Sequence, residues 1–240
     1  MVDSAWLQHS VAEVEQRIAS ACAAAGRQRT AVTLIAVSKG QSHQAIRALY
    51  ALGQRDFGES YVQEWQTKAS ELADLAELRW HFLGHLQRNK VKQVIGKVAL
   101  LHSLDDMQGL DEMARTAWQA KLSQPVLLQV NLAQEQTKRG CGPLDASLFL
   151  DVLQRSPGLL LRGLMVLPPY DWDVEQVRPW FKQLRELAEE LQASYAGVGQ
   201  LPPAGQWLLS MGMSGDFEAA IAEGSTHIRV GTALFGPRPS

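Results

Sequence analysis

Three stretches of the 240-residue sequence carry residue types that could do chemistry. The first is Val32-Thr33-Leu34-Ile35-Ala36-Val37-Ser38-Lys39, an apolar run that ends in a lysine. Alternate side chains of a strand share a face, so Lys39 lies on the side of Val37 and Ile35. Apolar walls on that side would lower the pKa of the amine, and a neutral amine forms a Schiff base with a carbonyl. A solvated lysine at a strand end accounts for the same position. The second stretch, Leu209-Ser210-Met211-Gly212-Met213-Ser214, leads into a helical pattern through Phe217, Ala220 and Ile221. The third is Ile228-Arg229-Val230-Gly231-Thr232-Ala233. Ser210 offers a hydroxyl, and Gly231 and Thr232 are small enough to let backbone amides approach an oxyanion such as phosphate. Turns that need glycine geometry explain the same residues. Asp216 and Glu218 would compete for the dipole of the following helix, so the amides are expected from the loop and from the last strand. Arg229 reads as mid-strand, on the side of Gly231. A buried guanidinium needs a partner, either a carboxylate or an acceptor such as a ring nitrogen, to which it can only donate.

Those residues need elements to bring them together. Leu7, Val11, Val14, Ile18 and Cys22 recur at three- and four-residue steps and predict a first helix, capped by Asp3 or Ser4 and ended by Gly26. Beyond it, runs rich in Val, Ile, Leu or Phe lie at 32–38, 56–57, 80–83, 98–104, 126–132, 160–167, 206–211 and 227–235, the second of them short and weak. Helical patterns separate them at 42–52 behind a Ser42 cap, at 61–77, at 105–122, around Phe149 and Val152, and at 174–195. Strand alternating with helix, without hairpin turns, predicts parallel strands and right-handed crossovers. Eight such strands predict an α/β fold, a (β/α)8 TIM barrel with an extra N-terminal helix. A barrel of about 250 residues consumes such a chain, so 1–240 reads as a single domain with no length left for a second. The competing Rossmann sheet would need GxGxxG after a strand, and neither that run nor a Walker A motif occurs. Barrels place reactive groups at strand C-terminal ends and commonly bind phosphate after strands seven and eight, where the second and third stretches fall.

Composition works by exclusion. Hydrophobic residues make up 46% and the formal net charge is −2, which allows a sizeable core and gives no electrostatic reason to expect nucleic acid or a membrane as partner. Cys22 and Cys141 are too few for a disulfide framework or a structural zinc site, and the histidines lack metal-binding spacings, so His81 and His85 read as structural. Asp3, Glu13 and Glu15 stand where a signal peptide needs basic and then apolar residues. No apolar stretch approaches the ~18 residues of a membrane span. The expectation is a soluble, cytoplasmic protein, monomeric because the barrel is complete in one chain.

A lysine for a carbonyl, a cup for phosphate and a donor for a ring nitrogen together fit pyridoxal 5′-phosphate, PLP. The words AVSKGQ, FGESYVQE, WHFLGHLQRNK, LLQVNLAQEQTKRG, LRGLMVLP and LSMGMSGDFEAAIAEGSTHIRVGTALFG closely resemble the pyridoxal phosphate homeostasis protein family, over about residues 30–236. The resemblance implies a barrel like that of alanine racemase, with PLP carried as a Schiff base on Lys39. It implies further cofactor contacts at Ser210, Arg229, Gly231 and Thr232, Arg229 facing the pyridine nitrogen. It also implies a role in vitamin B6 homeostasis, buffering PLP or delivering it to PLP-dependent apoenzymes without substrate turnover. The sequence departs from the family at Ser60, where Asn is usual, and Lys138 in TKRG matches another family lysine or is a surface charge.

Two enzyme readings stand against the carrier. One is an amino-acid racemase with Lys39 as one base and a solvent-side group such as His85 as the other. Against it, arginine cannot protonate the ring nitrogen, which weakens the electron sink. A racemase of this type also needs a second base, often a Tyr from a second domain; here Tyr61 and Tyr170 fall near strand C-ends, unlike Tyr50 and Tyr195. The other reading is a class I aldolase, with Lys39 binding a phosphorylated sugar, which leaves Arg229 unexplained.

Overall fold

The run that leads to Lys39 forms strand β1 (Thr33–Val37), preceded by helix α1 (Ser4–Ala24). There follow α2 (His43–Ala51), β2 (Asp56–Glu59), α3 (Val62–Glu71), β3 (Arg79–Phe82), α4 (Val91–Val94), β4 (Leu100–Leu104) and α5 (Met107–Gln119). The second half adds β5 (Gln124–Val130), α6 (Ala146–Leu153), β6 (Leu159–Val166), α7 (Val174–Ser194), β7 (Leu208–Ser210), α8 (Phe217–Ala222), β8 (His227–Val230) and α9 (Thr232–Phe235). This computed structural model describes residues 4–132, 139–169, 172–196, 201–203 and 205–237. Lys138 and Tyr170 lie outside them, as do Asp3 and the side chain of Ser4.

Neighbouring strands pair in parallel, and β8 returns to β1 to close an eight-stranded barrel. The strands are buried on both faces, which is why they read as short continuous apolar runs rather than alternating ones. Alternate residues divide between two cores. Leu34 and Ala36 of β1 belong to the large core under the helices, with Phe57, Phe82, Leu101, Leu128 and Val230. Leu100, Leu127 and Met165, with Leu208 against them, form a small second core inside the barrel. The Ser42 hydroxyl accepts from the Ala45 amide and starts α2 where the cap was expected. Asp173 and Gln176 form a capping box on α7.

Several element ends shift by two or three residues and the short α4 was not expected; three further departures are larger. The weak second run is a full strand whose four residues are all buried. Its polar members Asp56 and Glu59 made it look short in an apolar count, and both have buried partners, His81 and Lys68. The last run is divided: β8 stops at Val230, Gly231 turns the chain at φ −115° and ψ −77°, and α9 takes the rest. Helix α3 ends at Glu71 rather than 77, where Leu72 leaves helical geometry at φ −113°.

Candidate functional site

Lys39 follows the end of β1, half-buried, with its Nζ 4.6 Å from the centre of the Tyr61 ring. A clamp, buried on the Ser38 side and exposed on the Gly40 side, holds the backbone on both sides of it. Lys68 of α3 donates from Nζ to the Ser38 carbonyl at 2.6 Å, and Glu64 Oε1 accepts the Gly40 amide at 2.6 Å. Lys68 is itself paired with Glu59 and Glu64, each at 2.7 Å. Glu59 also accepts from the Ser38 hydroxyl at 2.6 Å. Burial raises the Glu59 pKa, and the bonds from Lys68 and Ser38 oppose that rise. Gly40, at φ +74°, takes the turn after Lys39 in a conformation that favours glycine. Nothing in the spacing of Glu59, Glu64 and Lys68 announced this clamp beyond the i, i+4 relation of the last two.

On β8, paired with β1, Ile35 lies opposite Arg229. Arg229 is 5% exposed and donates from Nη1 to Ser210 Oγ at 2.7 Å and from Nη2 to the Val166 carbonyl at 2.9 Å. Burial lowers its pKa to about 10, against the pull of the Asp216 charge, so it stays cationic at neutral pH. Among the described residues its hydrogen-bond partners are neutral oxygens rather than a carboxylate, and they use two of the five donors of the fork.

Beyond Arg229 the chain forms a cup. The amides of Gly231 and Ala233 converge on the hydroxyl oxygen of Ser214, at 3.2 and 3.3 Å. Thr232 lies between them as the first residue of α9. Asp216 accepts the Met213 amide and Glu218 pairs with Arg17, so neither carboxylate accepts the cup amides. Ser210 points elsewhere: its hydroxyl is fully buried between Arg229 and His102. The hydroxyl at the cup belongs to Ser214, which sequence reasoning passed over, although it stands in the same motif.

Inside the barrel, below Ser210, lie groups of which sequence reasoning singled out His81 alone, as structural. His102 Nδ1 is 2.9 Å from Ser210 Oγ, His81 Nδ1 is 3.0 Å from His102 Nε2, and His81 Nε2 is 3.0 Å from Asp56 Oδ1. His227 packs beside them, its ring centre 6.2 Å from both imidazoles. Burial pushes His102 well below the ordinary imidazole pKa and His227 down to about 3. Both are therefore uncharged in the folded chain, whereas in the unfolded chain they titrate near about 6.5. As pH falls below that value the unfolded state takes up protons that the folded state refuses, so stability is lost by about 1.4 kcal/mol per pH unit for each histidine. Urea melts at pH 7 and pH 5 should show this fall, and His227→Gln should make it shallower. Equal midpoints at the two pH values would contradict it.

His85, after β3, donates to or accepts from no partner on Lys39's clamp. Its Nδ1 meets Asp105 Oδ2 at 2.7 Å, at the edge of an open hollow of about 870 Å³ that Arg88, Asn89, Asp106 and Arg139 also line. Ser60 stands at the mouth, where its carbonyl lies so close to Gly84 that a Cβ there would approach it to 2.1 Å.

A closed parallel (β/α)8 barrel with a lysine at the end of β1 and an amide cup at the end of β8 is a definite class of protein. The model of the alanine racemase N-terminal domain matches residues 10–239. The chain belongs to the pyridoxal phosphate homeostasis protein family. It is 43% identical over 228 residues to the pyridoxal phosphate homeostasis protein of Aquifex aeolicus, covering 95% of this chain and 96% of that one. To its counterpart from Pseudomonas aeruginosa it is 40% identical over 232 residues, covering 97% and 96%. Among solved structures, PipY of Synechococcus elongatus with PLP bound is similar with a TM-score of 0.80 and 39% identity, over 93% of this chain and 100% of that one.

Proposed function

We propose that this chain binds PLP as a Schiff base on Lys39 and acts in vitamin B6 homeostasis, buffering the cofactor or delivering it to PLP-dependent apoenzymes without turning over a substrate. The observation that carries the reading is Arg229, a donor-only group buried among neutral acceptors beside the lysine strand. The donor set suits the group in each part: an amine for its carbonyl, the Gly231 and Ala233 amides for its phosphate, and the remaining Arg229 donors for its ring nitrogen. Thr232 stands within that cup, and Ser210 acts one step behind, holding Arg229. Bound PLP supplies an electron sink, whose strength depends on a protonated ring nitrogen. Arg229 keeps its protons at neutral pH, donates a hydrogen bond without giving a proton up, and so keeps that nitrogen an acceptor. Tyr61 covers the Lys39 amine, and the Lys68 clamp limits where that amine can travel.

The names of the relatives support a homeostatic role. Among the described residues no helix is long and apolar enough to cross a membrane. We take the site of action to be the cytoplasm, and the working form to be one monomeric barrel domain over 1–240.

Adding PLP to the purified chain should produce visible absorbance, and borohydride should fix the added mass on the peptide that contains Lys39. A chain that stays colourless, or mass fixed on a different lysine, overturns the proposal. The racemase reading keeps one observation in its favour. The His85–Asp105 pair has the form of an oriented base, because Asp105 holds Nδ1 and leaves Nε2 for a proton. Solvent-deuterium exchange at the α-carbon of a panel of amino acids decides between the two, since exchange at enzyme-like rates would defeat the carrier reading.

A further inference from the structure

Asp56 is the first residue of β2 and so lies at the N-terminal face of the barrel, opposite the mouth that holds Lys39. Its carboxylate takes two bonds from Arg79, Nε to Oδ1 at 2.7 Å and Nη2 to Oδ2 at 2.6 Å, besides the contact with His81. Burial works against its ionisation, yet the hydrogen bonds from Arg79 and His81 prevail and hold its pKa below the usual carboxylate range. An ionised carboxylate only accepts, and with a single proton on each imidazole this sets the direction of every bond above it. His81 must give its Nε2 proton to Asp56. With that one proton on Nε2, His81 accepts at Nδ1, so His102 gives its Nε2 proton to His81. The His102 Nδ1 is left as an acceptor, and the Ser210 hydroxyl gives its single proton there. The oxygen of Ser210 is thus turned toward Arg229 as an acceptor, and it receives Nη1. The column runs one way through the barrel, from Arg229 to Asp56.

We propose that Asp56, His81 and His102 are positioning residues that aim Arg229 at the ligand ring by fixing Ser210 as its acceptor. The proposal rests on the binding reading above. The groups that face the column leave its direction to Asp56. The His227 imidazole is uncharged and its Nδ1 is engaged by Thr226 Oγ1 at 2.9 Å. Leu100, Leu127 and Met165 are apolar. Asp216 acts on Arg229 through its charge, at the far end of the column from Asp56. The direction has a chemical consequence at the mouth. With its proton sent down the column, Ser210 has none to offer a phosphate or a ring, and its part in binding is to hold Arg229.

The test uses the full chain with 15N-labelled imidazoles at pH 8, together with PLP binding. In the ligand-free wild type, both His81 and His102 should carry their proton on Nε2. Asp56→Ala should abolish that single tautomer and weaken PLP binding about tenfold, the scale of losing one oriented hydrogen bond to a charged group. In a Ser210→Ala background, where the column is cut, Asp56→Ala should no longer change the affinity. An equal loss in both backgrounds makes Asp56 merely structural and overturns the proposal, as does a wild-type His102 protonated on Nδ1. The wild-type tautomers decide even where Asp56→Ala does not fold. A wild type with the expected tautomers and no uptake of PLP fails the binding reading and the proposal together, an outcome distinct from the others.

Discussion

Lys39→Ala leaves a folded chain that no longer develops the visible band with PLP and no longer gains mass on borohydride treatment. The side chain is half-buried and its contact is the face of Tyr61, a cation–π contact of about 0.5–1 kcal/mol, so folding loses little. Binding loses the covalent bond and keeps the amide cup and Arg229. The expected cost is about a hundred-fold in affinity or more, equivalent to ~2.8 kcal/mol. Lys68 cannot stand in for it. Lys68 is 5% exposed, and its amine is already divided between Glu59, Glu64 and the Ser38 carbonyl, which hold it in place. Absorbance titration with equilibrium dialysis measures both effects. Lys39→Ala with an undiminished band would mean that another amine carries the ligand.

Gly163→Ala should be the most disruptive single methyl group in the barrel. Gly163 sits in β6 at φ +150°, next to the register shift between β5 and β6. A Cβ there would lie 1.9 Å from the Leu208 carbonyl oxygen and 2.6 Å from its nitrogen. Both atoms are backbone of the paired strand, so relief requires β6 and β7 to part. We expect a loss of more than about 4 kcal/mol, seen as a collapsed urea midpoint or as insoluble protein. Gly231→Ala is the contrasting variant. Its φ is negative, and the new Cβ would meet Val37 at an ordinary 3.5 Å, so folding should hold. A Gly163→Ala chain as stable as the wild type would mean that this seam is loose in solution.

The sequence was most informative where physics is local. A lysine after an apolar run, a capping serine before α2 and an arginine in the last strand follow from periodicity and from the rule that barrels expose strand C-terminal ends. It was least informative where strands from distant parts of the chain face one another. His81, His102 and Ser210 have no telling spacing, because their adjacency is created by closure of the barrel. Each alone is indistinguishable from a satisfied core residue. The choice between Ser210 and Ser214 turns on where β7 ends: a hydroxyl in the strand faces the barrel axis, and one four residues later reaches the amides of Gly231 and Ala233 beyond β8. The strand β2 read as short and weak in an apolar count because its buried positions include two carboxylates, whose partners Arg79, His81, Lys68 and Ser38 lie outside it.

The closing seam of the barrel joins the first strand to the last. Lys39 and Arg229 stand on its two sides, so nearly the whole chain must be synthesised and folded before the two halves of the site coexist. A ligand gripped from both sides becomes a clasp on that seam. Amide hydrogen exchange along β1 and β8 should slow most when the clasp is in place, and a nascent chain released before residue 229 would carry one half of the clasp without the other.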